Sequence, residues 1–250
     1  MTEVELLIDF HKDADRQGPG DSTETLKALS FIPKKNKAPL KIADIGCGTG
    51  AQTFPLAENI EGEISAVDLF PDFLDKLEAN SKKLGLKKKI KTIKADMKDL
   101  PFQKEEFDVI WSEGAIYLMG FEKGIQEWTK FLKPGGYLAV SEITWTTDSR
   151  PKEIEDHWNN EYAEMDTASE KIRILEKNGY SPIGYFTLPE YCWVENYYQP
   201  MQKRFSDFLE NHPHSKMAER IINRHIAEIE IYNTYKDYYT YGFYIAQKVS

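Results

Sequence analysis

Residues 40–54 read LKIADIGCGTGAQTF. An apolar run, Leu40 to Ile45, stops at Gly46, and Gly48 and Gly50 follow at alternate positions. A strand that turns sharply into a helix needs backbone at positive φ, which glycine adopts freely. Without side chains, glycines also let a ligand touch the backbone. The helix that follows offers unpaired N–H groups and a partial positive charge at its start. The stretch therefore predicts a strand–loop–helix turn that holds an anionic or polar ligand at the carboxyl end of the strand. Gly46, Gly48 and Ala51 also satisfy the loose dinucleotide pattern G-x-G-x-x-A. On this loop alone a nicotinamide cofactor stays open, and a plain tight turn is the structural alternative.

Outward from the loop the pattern is regular. Strands are expected at 41–46, 63–69, 89–96, 107–112 and 137–143, with helices near 51–59, 71–84 and 120–132. Strands alternating with helices predict an α/β fold, a mostly parallel sheet covered on both faces. Before the loop, Val4, Leu6, Leu7 and Phe10 fall on one helical face. QGPGD, 17–21, breaks that helix. Asp21 and Glu24 start a second one, with Leu26 and Leu29 as its buried side. A polar linker, 33–39, leads into the first strand. After residue 147 come helices, a strand near SPIGYFT and a helical stretch over 196–232. YYTYGFYIAQKV, 238–249, is expected to be the final strand.

The totals bound the function. The 250 residues are 41% hydrophobic, enough for a sizeable core. Asp plus Glu number 41 against 32 Lys plus Arg, a net charge of −9, which disfavours nucleic acid as a partner. The lysine-rich stretch 81–94 therefore reads as a solvated helix end and strand edge. Only Cys47 and Cys192 are present, and Cys47 lies in the loop, so the usage fits a reducing cytoplasm. The first residues lack a signal-peptide core, and no run of about 18 apolar residues predicts a membrane span. The histidines are scattered, so no metal site is expected.

Four features recur in order. They are D-I-G-C-G-T-G at 44–50, Asp68 at the end of the second strand, Ala95-Asp96-Met97 after the third, and Leu132-Lys133-Pro134-Gly135-Gly136 before the fifth. Over roughly 38–146 the chain resembles the class I S-adenosylmethionine (SAM) dependent methyltransferases, closest to the small-molecule branch of the menaquinone and ubiquinone C-methyltransferases. The resemblance implies a Rossmann-like, seven-stranded sheet whose last strand is antiparallel. It implies one domain over 1–250: an N-terminal helical lid (1–37), a SAM-binding core (38–146), and substrate-side helices with the last strands (147–250). It also implies that LKPGG ends a helix and turns into the fifth strand.

The resemblance also implies roles at matching positions. Gly46, Cys47, Gly48 and Gly50, with Gln52 and Thr53, would line the methionine and ribose. Asp44 would sit beneath the loop and interact with the methionine ammonium, directly or through water. Asp68 would hold the ribose hydroxyls, and Leu69 and Phe70 would pack on the adenine. Asp96 would accept from the adenine amino group, and Met97 would cover the ring. Ser112 and Glu113 would face the methionine end. Gln17 and Gly18 would belong to the lid. Glu113, Tyr117 and His157 are the catalytic candidates, with Glu142 nearby. Tyr117, Trp145, Trp193, Tyr197 and Tyr198 are candidates for a small, apolar or aromatic acceptor, although the same aromatics would also make a core under the cap. The expectation is methyl transfer to a small molecule. The rival readings are a nicotinamide-dependent oxidoreductase and a non-catalytic SAM-binding protein.

Overall fold

The computed structural model describes residues 1–33 and 39–249. Most of the expected linker thus lies outside the described residues. Two short helices come first. α1 (Glu3–His11) is closed by a capping box, in which the Glu5 amide donates to Thr2 Oγ1 and the Thr2 amide to the Glu5 carboxylate. α2 (Ser22–Ser30) is capped by Asp21, as expected. Its buried face is Glu24, Thr25 and Ala28 rather than Leu26 and Leu29. It packs on polar groups at the sheet's end, described below, and apolar spacing does not report that contact.

The sheet follows. β1 (Leu40–Ile45), α3 (Thr53–Asn59), β2 (Gly62–Asp68), α4 (Pro71–Lys83), β3 (Ile90–Lys94), β4 (Phe107–Glu113), α5 (Phe121–Thr129) and β5 (Leu132–Trp145) alternate strand and helix. Then come α6 (Lys152–Glu161), β6 (Asp166–Thr167), α7 (Ala168–Lys177) and β7 (Tyr180–Thr187). The cap comprises α8 (Glu190–Trp193), a π-turn at Val194–Tyr198, α9 (Gln199–Gln202), α10 (Phe205–Asn211) and α11 (Lys216–Tyr235). β8 (Tyr239–Lys248) closes the sheet.

The strand order is β3-β2-β1-β4-β5-β8-β7, with the two-residue β6 beside β5. β3 through β5 are parallel, and β8 runs antiparallel between β5 and β7. The path holds the expected seven strands; β6 is an eighth that no run of apolar residues announces. LKPGG is not a helix end. α5 stops at Thr129, and Leu132 already pairs with Phe107, with a bulge before Val109 meets Tyr137. Gly135 (φ +72°) absorbs the bulge inside the strand.

Strand order reverses between β1 and β4. In such sheets the loops after these two strands part and leave a crevice at their carboxyl ends. One sheet face packs Ile42, Trp111, Ala139, Phe243 and Ile245 under α1, α2 and the cap. The other packs Ile45, Ile110, Leu138 and Val140 against α5 and α7.

Candidate functional site

The glycine loop has the geometry that its composition requires. Gly46, Gly48 and Gly50 lie at φ +75°, +54° and +99°. A Cβ on Gly46 would stand 2.5 Å from Ala115 Cβ, so the loop after β4 closes directly on the loop after β1. The amides of Gly46 and Cys47 donate to the Val67 carbonyl, pinning the loop to β2. Cys47 is buried, and burial raises its thiol pKa well above the usual value, so it is a small filler rather than a nucleophile.

Asp68 ends β2 at the rim of this loop. Its Oδ2 accepts from the Gly48 amide at 2.9 Å and its Oδ1 from the Phe70 amide at 3.0 Å. Both contacts are to backbone, so each oxygen keeps a lone pair directed elsewhere. Leu69, beside it, is 48% exposed, an apolar surface open at the crevice, and Phe70 packs edge-on to Phe73. Asp96 is exposed and accepts from the Lys98 amide. Met97 points its methyl toward Gly46, and its carbonyl accepts from Trp128 Nε1.

Asp44 is bonded from the start of α3. Thr53 Oγ1 donates to its Oδ2 at 2.6 Å and Gln52 Nε2 to its Oδ1 at 3.1 Å. It is fully buried beneath the loop and ties β1 to the start of α3. Burial is the main cause that pushes its carboxyl up to about 7. Gln52 and Thr53 therefore shape the loop through Asp44.

The N-terminal segment lies on the loop. Gln17 Oε1 accepts from the Thr49 amide at 3.0 Å, and its Nε2 donates to Thr49 Oγ1 at 3.1 Å. A Cβ on Gly48 would meet that Oε1 at 2.1 Å. Gly18 stands clear of its surroundings. Glu113, at the end of β4, is the second tie. Its Oε1 accepts from Thr25 Oγ1 at 2.7 Å and from Trp111 Nε1 at 2.9 Å, and its Oε2 lies 3.8 Å from Arg16 Nη1. Burial raises its carboxyl pKa against the lowering pull of Arg16. With its oxygens committed to Thr25 of α2, to Arg16 in the connection before it and to Trp111, Glu113 anchors the N-terminal segment and is not a free base. Arg16 Nη2 is buried without a partner, as is Ser112 Oγ.

On the acceptor side, a Cβ on Gly114 would lie 3.7 Å from the Tyr241 hydroxyl. Tyr197 lies within electrostatic reach of Tyr117 and Tyr241, and burial raises the pKa of all three phenols. None of the three hydroxyls bonds to protein among the described residues. Trp193 and Tyr198 behave differently. Trp193 stacks on Tyr232 at 4.6 Å and donates to Thr240, and Tyr198 donates to Glu228. They are core beneath the cap, because their polar atoms are satisfied inside it. Trp145 is 4% exposed, lies edge-on to Tyr239 and carries Arg150 over its ring. His157 sits on α6 against Trp158 and makes no hydrogen bond to Glu113 or Tyr117. Glu142, fully buried at the end of β5, lies 3.4 Å from Lys171, and burial pushes its carboxyl up to about 7.

Sequence reasoning missed Arg16, Thr25 and Tyr241. Arg16 directly precedes the QGPG break, the one local signal available. Thr25 and Tyr241 reach the site across long stretches of chain, and no motif marks them.

With this geometry in place, the comparisons become specific. Residues 42–136 match the family model described as "Methyltransferase domain". Curated relatives match parts of the chain. An uncharacterized protein of Haemophilus influenzae is 32% identical over 106 residues, 41% of this chain and 42% of its own length. Tocopherol O-methyltransferase of Arabidopsis thaliana is 24% identical over 204 residues, 80% of this chain and 53% of its own. The chain thus spans well under two thirds of these relatives. Among solved structures, a SAM-dependent methyltransferase from Geobacter sulfurreducens in complex with S-adenosylhomocysteine superposes with a TM-score of 0.82 at 16% identity, covering 97% of both chains. One from Thiobacillus denitrificans, with the same ligand, gives 0.81 at 18%, covering 97% and 96%. The fold is therefore that of the class I methyltransferases. No helix among the described residues is long and apolar enough to cross a membrane.

Proposed function

We propose that the protein transfers a methyl group from SAM to a small, largely apolar or aromatic molecule, with the cofactor in the crevice between the loops after β1 and β4. The observation that carries this reading is Asp68. It is a carboxylate at the end of β2 that accepts from the backbone amides of Gly48 and Phe70, beside a glycine loop and the open apolar Leu69. Ribose hydroxyls fit the remaining lone pairs, adenine fits Leu69 and Met97, and a methionine carboxylate fits the orphaned Nη2 of Arg16. SAM-dependent relatives of this fold support the assignment. A nicotinamide cofactor is supported only by the loose glycine pattern.

When bound, SAM supplies an electrophilic methyl on a sulfonium, whose thioether departs neutral and needs no acid. The residues then have to align and dehydrate. Gly46, tight against Ala115, fixes the loop after β4. Gln17 and Arg16 lay the N-terminal segment over the crevice and exclude water. Tyr241 and Tyr197 offer flat faces and unpaired hydroxyls to orient an acceptor beside Gly114. Holding the partners in line contributes about 7–11 kcal/mol in such reactions. The test is incubation with methyl-labelled SAM and a pool of aromatic and isoprenoid metabolites. Label in a low-mass organic product supports the reading. Intact SAM binding with label in no metabolite would favour a non-catalytic SAM-binding protein.

A further inference from the structure

The first helix meets the cap at Phe10, and three nitrogen-bearing side chains converge there. The Phe10 ring lies 4.9 Å from the His11 ring and 5.2 Å from the His225 ring, and the Arg204 guanidinium carbon stands 5.2 Å away. The two imidazoles are 5.4 Å apart. His11 Nδ1, His225 Nε2 and Arg204 Nε are all buried and have no hydrogen-bond partner. Buried polar atoms are normally paired, so three orphans on one ring's perimeter require an explanation.

The carboxylates nearby do not supply it. Asp9 is held by Lys12 and His212, and Asp13 by Lys76. Glu228 lies 3.6 Å from His225 on its other nitrogen, Nδ1, and accepts from Tyr198. Asp15 acts on Arg204 only through its field. Arg204 makes no ion pair among the described residues. Tyr197 lies within electrostatic reach of Arg204 and also of Tyr117 and Tyr241, so it neighbours both this cluster and the segment after β4.

Resting on the methyltransferase reading, we propose that His11, Arg204 and His225 form an oxyanion subsite for a carboxylate on the methyl acceptor, whose apolar body lies along Tyr197 toward Gly114. A guanidinium and imidazole N–H groups are suited donors to a carboxylate. On a chain of net charge −9, the buried guanidinium edge of Arg204 is what would let an anionic acceptor enter. The subsite spans α1 and the cap, so the acceptor would fasten the N-terminal segment as it binds.

The test is calorimetry on the full chain saturated with S-adenosylhomocysteine, titrated with benzoate, benzyl alcohol or inorganic phosphate. Benzoate is expected to bind at least tenfold more tightly than benzyl alcohol, and Arg204→Met to abolish that preference while leaving the affinity for S-adenosylhomocysteine unchanged. Equal affinities in the wild type, or a preference that survives in Arg204→Met, would overturn the subsite. Phosphate binding as tightly as benzoate with the same loss in Arg204→Met would make it a free-anion site and overturn its assignment to the acceptor. If Arg204→Met fails to fold, nitrogen-15 NMR of the wild type decides. Burial and its cationic neighbours push His11 down to about 3, and benzoate should raise it; an unmoved titration contradicts the proposal. If S-adenosylhomocysteine does not bind the wild type, the methyltransferase reading fails, whereas the benzoate preference and its dependence on Arg204 judge the subsite.

Discussion

Asp44 and Glu142 are carboxyl groups without exposure to water, and burial pushes each up to about 7. The sign of the consequence is fixed by linkage. The unfolded chain releases these protons near pH 4, whereas the native state holds them until about pH 7. Stability therefore falls as pH rises across that window, by up to about 1.4 kcal/mol per unit for each proton the native state retains. Urea unfolding at pH 5, 6 and 7 should show the decline, and Asp44→Asn should flatten it. A pH dependence left unchanged by Asp44→Asn would show that Asp44 ionises freely in the folded state. Asp44 also marks how far a motif reads at this scale. Its place in D-I-G-C-G-T-G was legible, but its partners were not, because they are Gln52 and Thr53 folding back eight and nine residues later.

At the scale of elements, the proposed function assigns specificity to the N-terminal segment and the cap. Deleting residues 1–20 would remove the buried Leu6 and Phe10 and destabilise the molecule outright, so a point change is the better probe. Gln17→Ala removes both contacts to Thr49. It should weaken binding of S-adenosylhomocysteine by about 3–10-fold, the equivalent of one net hydrogen bond, with little change in melting temperature. Equal affinity would mean that the segment is packing only. In the cap, Trp193→Ala should lose about 3–5 kcal/mol of stability, as a large buried aromatic does. Tyr197→Phe should melt normally and change the Michaelis constant for the acceptor, because among the described residues its hydroxyl has no partner to lose. If Tyr197→Phe leaves the kinetics unaltered, its hydroxyl does not touch the acceptor. Sequence density of aromatics identified the cap but not which rings are core. That division rests on Thr240 and Glu228, which satisfy Trp193 and Tyr198 from β8 and α11. LKPGG was misread for a related reason. Pro-Gly-Gly is turn chemistry, and only pairing with Phe107 and Val109 turns it into a bulged strand.

The whole molecule is a parallel sheet with its crevice where strand order reverses between β1 and β4. That much was legible, since strands alternating with helices and a glycine loop after the first strand leave few arrangements. The closure was not, because Glu113–Thr25 spans 88 residues and Gln17–Thr49 spans 32, distances over which no periodicity operates. A ligand that binds only the closed native state stabilises it as a whole. S-adenosylhomocysteine at a hundred times its dissociation constant should add about 2.7 kcal/mol, a rise of roughly 5–11 °C in melting temperature for a chain of this size. No rise would mean that the crevice does not take this ligand. The most direct measurement is calorimetric titration of S-adenosylhomocysteine into the wild type and Asp68→Ala, with NAD as the control ligand. The account predicts one site in the wild type, weakened by about 1–3 kcal/mol in Asp68→Ala, and no binding of NAD. Equal affinity in the two proteins, or NAD binding in place of S-adenosylhomocysteine, would contradict it.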